Sequence, residues 1–187
     1  MMSRIRIIAG TAKGLYIQSP KKFTSRPTQE RVREALFSSI APRIPAASFL
    51  DLYAGSGSVG IEALSRGVAS ATFVEIERRY CKTIQANLNH CSLTGRIFAG
   101  SAAQFLSMPS KTTYDIIFAD PPYNQKTTDL NTLPLASELH DHLNPHGTLI
   151  WEHDSHSQWN PPAGLEITKV RKIGQTCLTY MQPVKPH

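Results

Sequence analysis

Phe49-Leu50-Asp51-Leu52-Tyr53-Ala54-Gly55-Ser56-Gly57-Ser58-Val59-Gly60 passes from an apolar strand, through a glycine-rich turn, into a helix. The strand is expected over 49–53 and the helix over 59–66, ended by Gly67. Downstream the alternation continues, with strands at 71–75, 96–99, 114–119 and 149–152 and helices at 77–89, 102–106 and 135–143. Strands alternating with helices through right-handed crossovers predict an α/β fold, a doubly wound, mostly parallel seven-stranded sheet of Rossmann-like form. The chain's last part breaks the pattern. Residues 166–172 and 176–182 are extended runs around Ile173-Gly174-Gln175, a hairpin rather than a crossover.

Upstream of the strand lies a different kind of segment. Residues 1–45 read as a basic extension, and 46–187 as the main domain. Two short strands, 4–9 and 15–18, are joined across Gly10-Thr11-Ala12-Lys13-Gly14, and Thr28 is expected to cap a helix carrying Val32, Ala35, Leu36 and Ile40 on one face. Arg4, Arg6, Lys13, Lys21, Lys22, Arg26, Arg31, Arg33 and Arg43 all precede the first core strand, opposed only by Glu30 and Glu34. The formal net charge of the 187 residues is +6. A basic arm of this kind favours a polyanionic partner. Hydrophobic residues make up 41% of the chain, enough for one sizeable core. Three cysteines without close spacing suggest a reducing, cytosolic setting and no metal. No apolar run approaches membrane-spanning length, so no membrane partner is expected, and a monomer is anticipated.

Glycines at the strand-to-helix junction let the backbone turn sharply and let a ligand approach the main chain. Gly55-x-Gly57-x-x-Gly60 also fits a dinucleotide fingerprint, with Glu75 spaced to take a ribose hydroxyl, so an NAD-linked oxidoreductase is a rival. Asp51, four residues before Gly55, points elsewhere. A carboxylate inside that strand can hold an ammonium or order a water, which suits the amino-acid part of S-adenosylmethionine. Tyr53, Gly55 and Gly57 then complete the loop around that ligand, and Glu75 accepts from its ribose hydroxyls. Ser101 follows the third strand, where an adenine contact is expected through its hydroxyl or backbone.

The strand Tyr114-Asp115-Ile116-Ile117-Phe118-Ala119 ends in Asp120-Pro121-Pro122-Tyr123. Proline fixes its own φ, biases the preceding residue toward extended geometry and removes an N–H donor. The result is a rigid ledge offering carbonyls, one carboxylate and an aromatic face. It suits a flat ring with an exocyclic amine, whose two hydrogens are taken by Asp120 and a proline carbonyl while Tyr123 stacks on the base. These residues are the catalytic candidates, with Asp120 also touching the cofactor. A DNA amino-methylase, a protein-glutamine methylase and a non-catalytic RNA-binding module remain alternatives at this point. The histidines at 140, 142, 146, 153 and 156 read as surface residues rather than a metal cluster, and Glu152-His153-Asp154 as the end of the fifth core strand.

With these motifs in hand, the chain resembles the class I S-adenosylmethionine-dependent methyltransferases, and more narrowly the bacterial 16S rRNA guanine-N2 methyltransferase D family. The resemblance rests on Arg4-Ile5, Ile7, Ala9-Gly10 and Lys13-Gly14, then on Arg26-Pro27-Thr28 with Arg31-Val32-Arg33-Glu34-Ala35-Leu36-Phe37. It continues through Leu50 to Gly57, Gly60 to Gly67, Val74-Glu75, the Asp-Pro-Pro-Tyr block and Gly174. Tyr123 stands where this family often has Phe, and Ser101 where an acid is frequent. The resemblance implies methylation of a guanine N2 amine in 16S rRNA within an assembled or partly assembled small ribosomal subunit, in the cytoplasm. RNA contacts are expected from Arg4, Arg6, Lys13, Arg26, Thr28 and Arg31; on physical grounds Arg26 and Arg31, flanking the Thr28 cap, make a phosphate seat at a helix entry.

Overall fold

The computed structural model describes residues 2–20, 27–108, 112–121, 136–157 and 160–184. Arg26, Pro122 and Tyr123 lie outside the described residues, as does the side chain of Thr28.

An antiparallel hairpin opens the chain, β1 (Met2–Arg6) against β2 (Tyr16–Pro20), in the register Arg4↔Gln18 and Arg6↔Tyr16. Its period of two is plain: Ile5, Ile7 and Ile17 are buried while Arg4, Arg6, Tyr16 and Gln18 face out. Then come α1 (Pro27–Ile40), β3 (Ser48–Asp51), α2 (Ser58–Ser65), β4 (Ser70–Glu75), α3 (Arg78–His90), β5 (Arg96–Ala99) and α4 (Ala102–Leu106). After these follow β6 (Tyr114–Ala119), α5 (Ala136–Asp141), β7 (Leu143–Asp154), β8 (Leu165–Ile173) and β9 (Thr176–Pro183).

The seven-stranded sheet has the order β5-β4-β3-β6-β7-β9-β8. The β5, β4, β3, β6 and β7 neighbours pair in parallel, whereas β9 runs antiparallel to both β7 and β8. The expected architecture is therefore present, including the closing hairpin. The chain winds outward from β3 through β4 to β5, then returns to the other side of β3 at β6. That reversal puts a crevice at the carboxyl ends of β3 and β6, the place where open α/β sheets bind ligands.

Successive residues of the central strands serve opposite faces. Phe49, Ile116, Phe118 and Ile150 join one core cluster, and Leu50, Ile117, Ala119, Leu149 and Trp151 join the other. The first cluster also contains Ile5, Ile7, Ala12 and Ile17 of the hairpin and Val32, Leu36, Phe37 and Ile40 of α1, so the N-terminal segment packs into the same core as the sheet. Each of these Ile, Val, Leu and Phe side chains contributes about 1.5–3 kcal/mol on burial.

Hydrogen bonds clamp the hairpin further. Glu62, fully buried on α2, accepts from the backbone N–H of Ile8 (2.8 Å) and Ala9 (3.0 Å) and from Arg66 Nε (2.8 Å). Asn87 on α3 donates to the carbonyls of Gln18 (2.8 Å) and Ser56 (3.0 Å), tying β2 to the glycine loop. Helix α3 is placed by burial of Tyr80, Thr83, Ile84, Asn87 and Leu88, a three–four spacing on one face.

Two expectations are corrected. The first helix begins at Pro27, so Thr28 is its second residue and not its cap. Proline at the first helical position already has the helical φ and lacks an N–H that would have no partner there. His142 is not on the surface: it is 4% exposed, with Nε2 3.0 Å from the carbonyl of Leu106 and its ring 5.7 Å from that of Phe105. No helix among the described residues is long and apolar enough to cross a membrane.

Candidate active site

The glycine loop is held in shape by acids on the strands beside it. Asp51, the last residue of β3, accepts from the Gly60 N–H (3.1 Å) and so anchors the first turn of α2. Glu75, the last residue of β4, accepts from Gly55 N–H (2.8 Å) and Glu77 N–H (2.8 Å) with its two oxygens. Between them the loop turns tightly, Gly57 N–H donating to Ala54 O at 2.6 Å. Gly55 and Gly57 adopt φ of 54° and 77°, left-handed values that a side chain makes costly.

A cavity of about 380 Å³ opens over this edge of the sheet. Asp51, Tyr53, Ala54, Gly55 and Ser56 form its floor, Phe118, Asp120 and Glu152 one wall, and the hairpin and α1 its cover through Arg4, Arg6, Tyr16 and Arg33. The register explains the wall. Asp51 pairs with Phe118, and Ala119 with Trp151, so Asp51, Asp120 and Glu152 follow on one face at the ends of three adjacent strands.

Burial dominates the electrostatics. It pushes the Asp51 carboxyl up to about 7, against the opposing hydrogen bond from Gly60 and with smaller contributions from Asp120 and Glu75. Burial also raises Asp120 to about 7. Glu152 is pushed well above the ordinary carboxylate range by burial and by the charge of Asp120. Buried acids that repel one another form a wall that welcomes a cation.

Asp51 gives a pH prediction. Its folded carboxyl titrates higher than the unfolded one, so its contribution to stability is fully present below about pH 4 and is lost as pH rises through about 7. Asp51→Asn, which keeps an oxygen for the Gly60 N–H, is expected to lose less stability than the wild type between pH 5.5 and 8. Denaturant unfolding of both proteins at the two pH values measures this; equal losses reject it.

Of the residues singled out by sequence, Arg4, Arg6, Asp51, Tyr53, Gly55 and Asp120 line the one cavity. Glu75 is not among the lining residues and braces the loop through the Gly55 N–H. Ser101 caps α4 in a reciprocal pair: its Oγ accepts from Gln104 N–H (3.1 Å) while its own N–H donates to Gln104 Oε1 (3.0 Å). Lys13 and Arg31 are exposed and do not line the cavity. Other cavity residues lie outside the sequence-based set, among them Glu152, Tyr16 and Arg33. Glu152 ends an otherwise apolar run, Tyr16 faces out of a hairpin strand, and Arg33, 6% exposed, donates to Arg6 O at 2.8 Å. A charged residue inside an apolar strand was the signal for Glu152. Among the described residues, no three His, Cys, Asp or Glu side chains group as a metal site.

The family model described as conserved hypothetical protein 95 matches residues 5–182. YlbH of Bacillus subtilis, provisionally named an rRNA methyltransferase, is 32% identical over 177 residues, covering 92% of this chain and 95% of that protein. The ribosomal RNA small subunit methyltransferase D of Escherichia coli is 40% identical over 123 residues, which are 65% of this chain and 62% of that protein. The solved structure of the Escherichia coli protein yhhF, provisionally named a methyltransferase, superposes with a TM-score of 0.82 at 32% identity, covering 96% of this chain and 98% of that one. These matches displace the NAD-linked oxidoreductase. The chain belongs to the conserved hypothetical protein 95 family, that of the small-subunit rRNA methyltransferase D proteins, and has the class I S-adenosylmethionine-dependent methyltransferase fold.

Proposed function

We propose that this protein transfers a methyl group from S-adenosylmethionine to the exocyclic N2 amine of a guanine in 16S rRNA, within an assembled or partly assembled small-subunit particle. One observation carries the reading: the glycine loop and the Asp120 wall share a single cavity, beneath an arginine-bearing hairpin. S-adenosylmethionine is a cation at its sulfonium and ammonium, and the donor set fits it, because Asp51 and Asp120 face the cavity as acids raised by burial. Asp51 would hold the ammonium, Tyr53, Gly55 and Gly57 the main body, and Glu75 and Ser101 the ribose and adenine ends. Bound there, the cofactor supplies an electrophilic methyl group.

The chain's own residues do the rest. An aromatic amine is a poor nucleophile because its lone pair is delocalised into the ring. Asp120 and a proline carbonyl of Pro121 or Pro122 accept its two hydrogens, drawing the nitrogen toward tetrahedral geometry and freeing that pair. Tyr123 stacks on the base and sets the angle. Asp120 then takes up the proton released as the nitrogen–carbon bond forms, a task for which a pKa near the working pH is suited. Positioning and stabilisation of the charge growing on nitrogen supply most of the acceleration.

The hairpin's outer face suits RNA. Arg6 and Tyr16 stand directly opposite each other, with Arg4 and Gln18 as the next pair on the same face. Guanidinium groups beside an exposed ring offer phosphate contacts and a stacking surface together. Lys13, Arg26, Thr28 and Arg31 extend the proposed contact. Arg4→Ala combined with Arg6→Ala is expected to weaken binding to small-subunit rRNA and to reduce the salt slope by about one per lost phosphate contact. Titration at several salt concentrations measures it, and an unchanged slope removes the hairpin from the interface. The reading as a whole is tested by labelled methyl transfer to small-subunit particles that have not been methylated, with large-subunit particles as the comparison.

A further inference from the structure

Glu152 is a carboxylate that the fold does not explain. It stands on β7 beside Asp120: the register pairs Ala119 with Trp151, and the next residue on each strand brings the two acids side by side on one face of the sheet. Both line the cavity. Only burial and the charge of Asp120 act on the Glu152 carboxyl, with no hydrogen bond from a described residue to offset them. Placing two partly buried acids together without a donor destabilises the folded chain, and an apolar residue continuing the Ile150–Trp151 run would not.

Resting on the reading of this cavity as an amine-methylating rRNA site, we propose that Glu152 accepts the ring N1–H of the target guanine while Asp120 holds the adjacent N2 amine, so that the two acids together select guanine. Guanine, adenine and cytosine all carry an exocyclic amine. In guanine the ring nitrogen next to that amine, on the Watson–Crick edge, is an N–H donor. In adenine and cytosine the corresponding nitrogen is a lone pair. One carboxylate recognises any amine; a second beside it welcomes only the base with a donor at the neighbouring atom and repels the others. Adjacent strands lie about 4.8 Å apart, which lets the two side chains converge on the ring N1 and the neighbouring exocyclic amine. Asp51, Asp120 and Glu30 are the other acids lining this cavity, and Arg33, Arg4 and Arg6 its cations. A guanine N1–H and a cationic cofactor in the same cavity both favour the ionised form of Glu152, which selection requires.

The test is Glu152→Gln, which keeps the shape and removes the charge. Relief of repulsion with Asp120 should leave the melting temperature at pH 8 unchanged or raised, so lost activity would not be lost folding. Cofactor affinity should stay within about two-fold, while kcat/KM for N2-methylguanosine formation on unmethylated small-subunit particles falls about 10- to 100-fold at every pH. An unchanged kcat/KM overturns the proposal. So does a loss confined to a shifted pH–rate profile, full rate returning on one limb, because Glu152 would then act only by tuning Asp120. If the wild-type protein methylates an adenine instead, the reading of the site fails along with this inference; if it makes N2-methylguanosine and the variant does so equally well, only this inference fails.

Discussion

Asp120→Ala is expected to lower methyl transfer about 10³-fold or more while changing cofactor affinity by no more than a few-fold. Asp120 follows the last residue of β6, and its carboxylate faces the cavity rather than any backbone donor of the glycine loop. Asp51 and Glu75 hold that loop, through Gly60 and Gly55, so the cofactor's seat survives the change. What is lost is the acceptor for the amine hydrogen and for the departing proton. Because Asp120 is raised to about 7, the wild-type rate should climb as pH rises through that value, and Asp120→Asn should abolish the climb together with the rate. Single-turnover kinetics with a parallel binding titration separates the two quantities. Equal loss of both would make Asp120 a structural residue.

The second large effect concerns the turn of the hairpin at Gly10, which does not line the cavity. Gly10 has a φ of +84°, and a Cβ there would sit 1.7 Å from the carbonyl oxygen of Ser65. That close approach lets the hairpin lock onto the last turn of α2. Thr11 N–H donates to Ser65 O (2.8 Å), Ala12 N–H to Ser65 Oγ (2.9 Å), and Ser65 Oγ to Ala9 O (2.6 Å). Gly10→Ala must either displace the backbone of α2 or lift the hairpin, giving up these bonds and loosening Ile5, Ile7 and Ile17. A cost of about 3 kcal/mol or more is expected, which for a chain of this size lowers Tm by about 6–12 °C. Gly14 is the control. Its φ is +89°, yet nothing lies within 4 Å of its added Cβ, so Gly14→Ala should cost only about 1–2 kcal/mol of backbone strain. Equal melting temperatures for the two variants would show that the clamp on α2 contributes nothing. The same packing means that deleting the first strands would uncover the core, so RNA contacts are better tested by changing Arg4 and Arg6 alone.

Local pattern made much of this fold legible. Tyr114–Ala119 is a strand where its apolar run puts one, and Ala102–Leu106 is a helix at the bounds expected from the sequence. Other features depend on long-range geometry. The start of β7 at Leu143 is not visible in the sequence, because Asn144-Pro145-His146-Gly147 looks like a turn; Leu143 joins the strand by pairing with Tyr114, ahead of a register shift that passes over 144–147 before Thr148 pairs with Ile116. Thr28 looked like a cap until Pro27, equally visible, took the first helical position. His142 looked polar and exposed, but its partner is a carbonyl 36 residues away. The site followed the same rule. Asp51 and Asp120 announced themselves beside glycines and prolines, whereas Glu152 gained meaning only when the β6–β7 register set it next to Asp120. The role of Arg33, reaching from α1 to the hairpin carbonyl of Arg6, likewise required the tertiary fold.

Nucleoside mass spectrometry of small-subunit rRNA tests the central claim most directly. Unmethylated small-subunit particles incubated with S-adenosylmethionine and the wild-type protein should gain N2-methylguanosine, and those incubated with Asp120→Ala should not. A methylated adenine or cytosine in its place, or no modified nucleoside at all, would contradict the account.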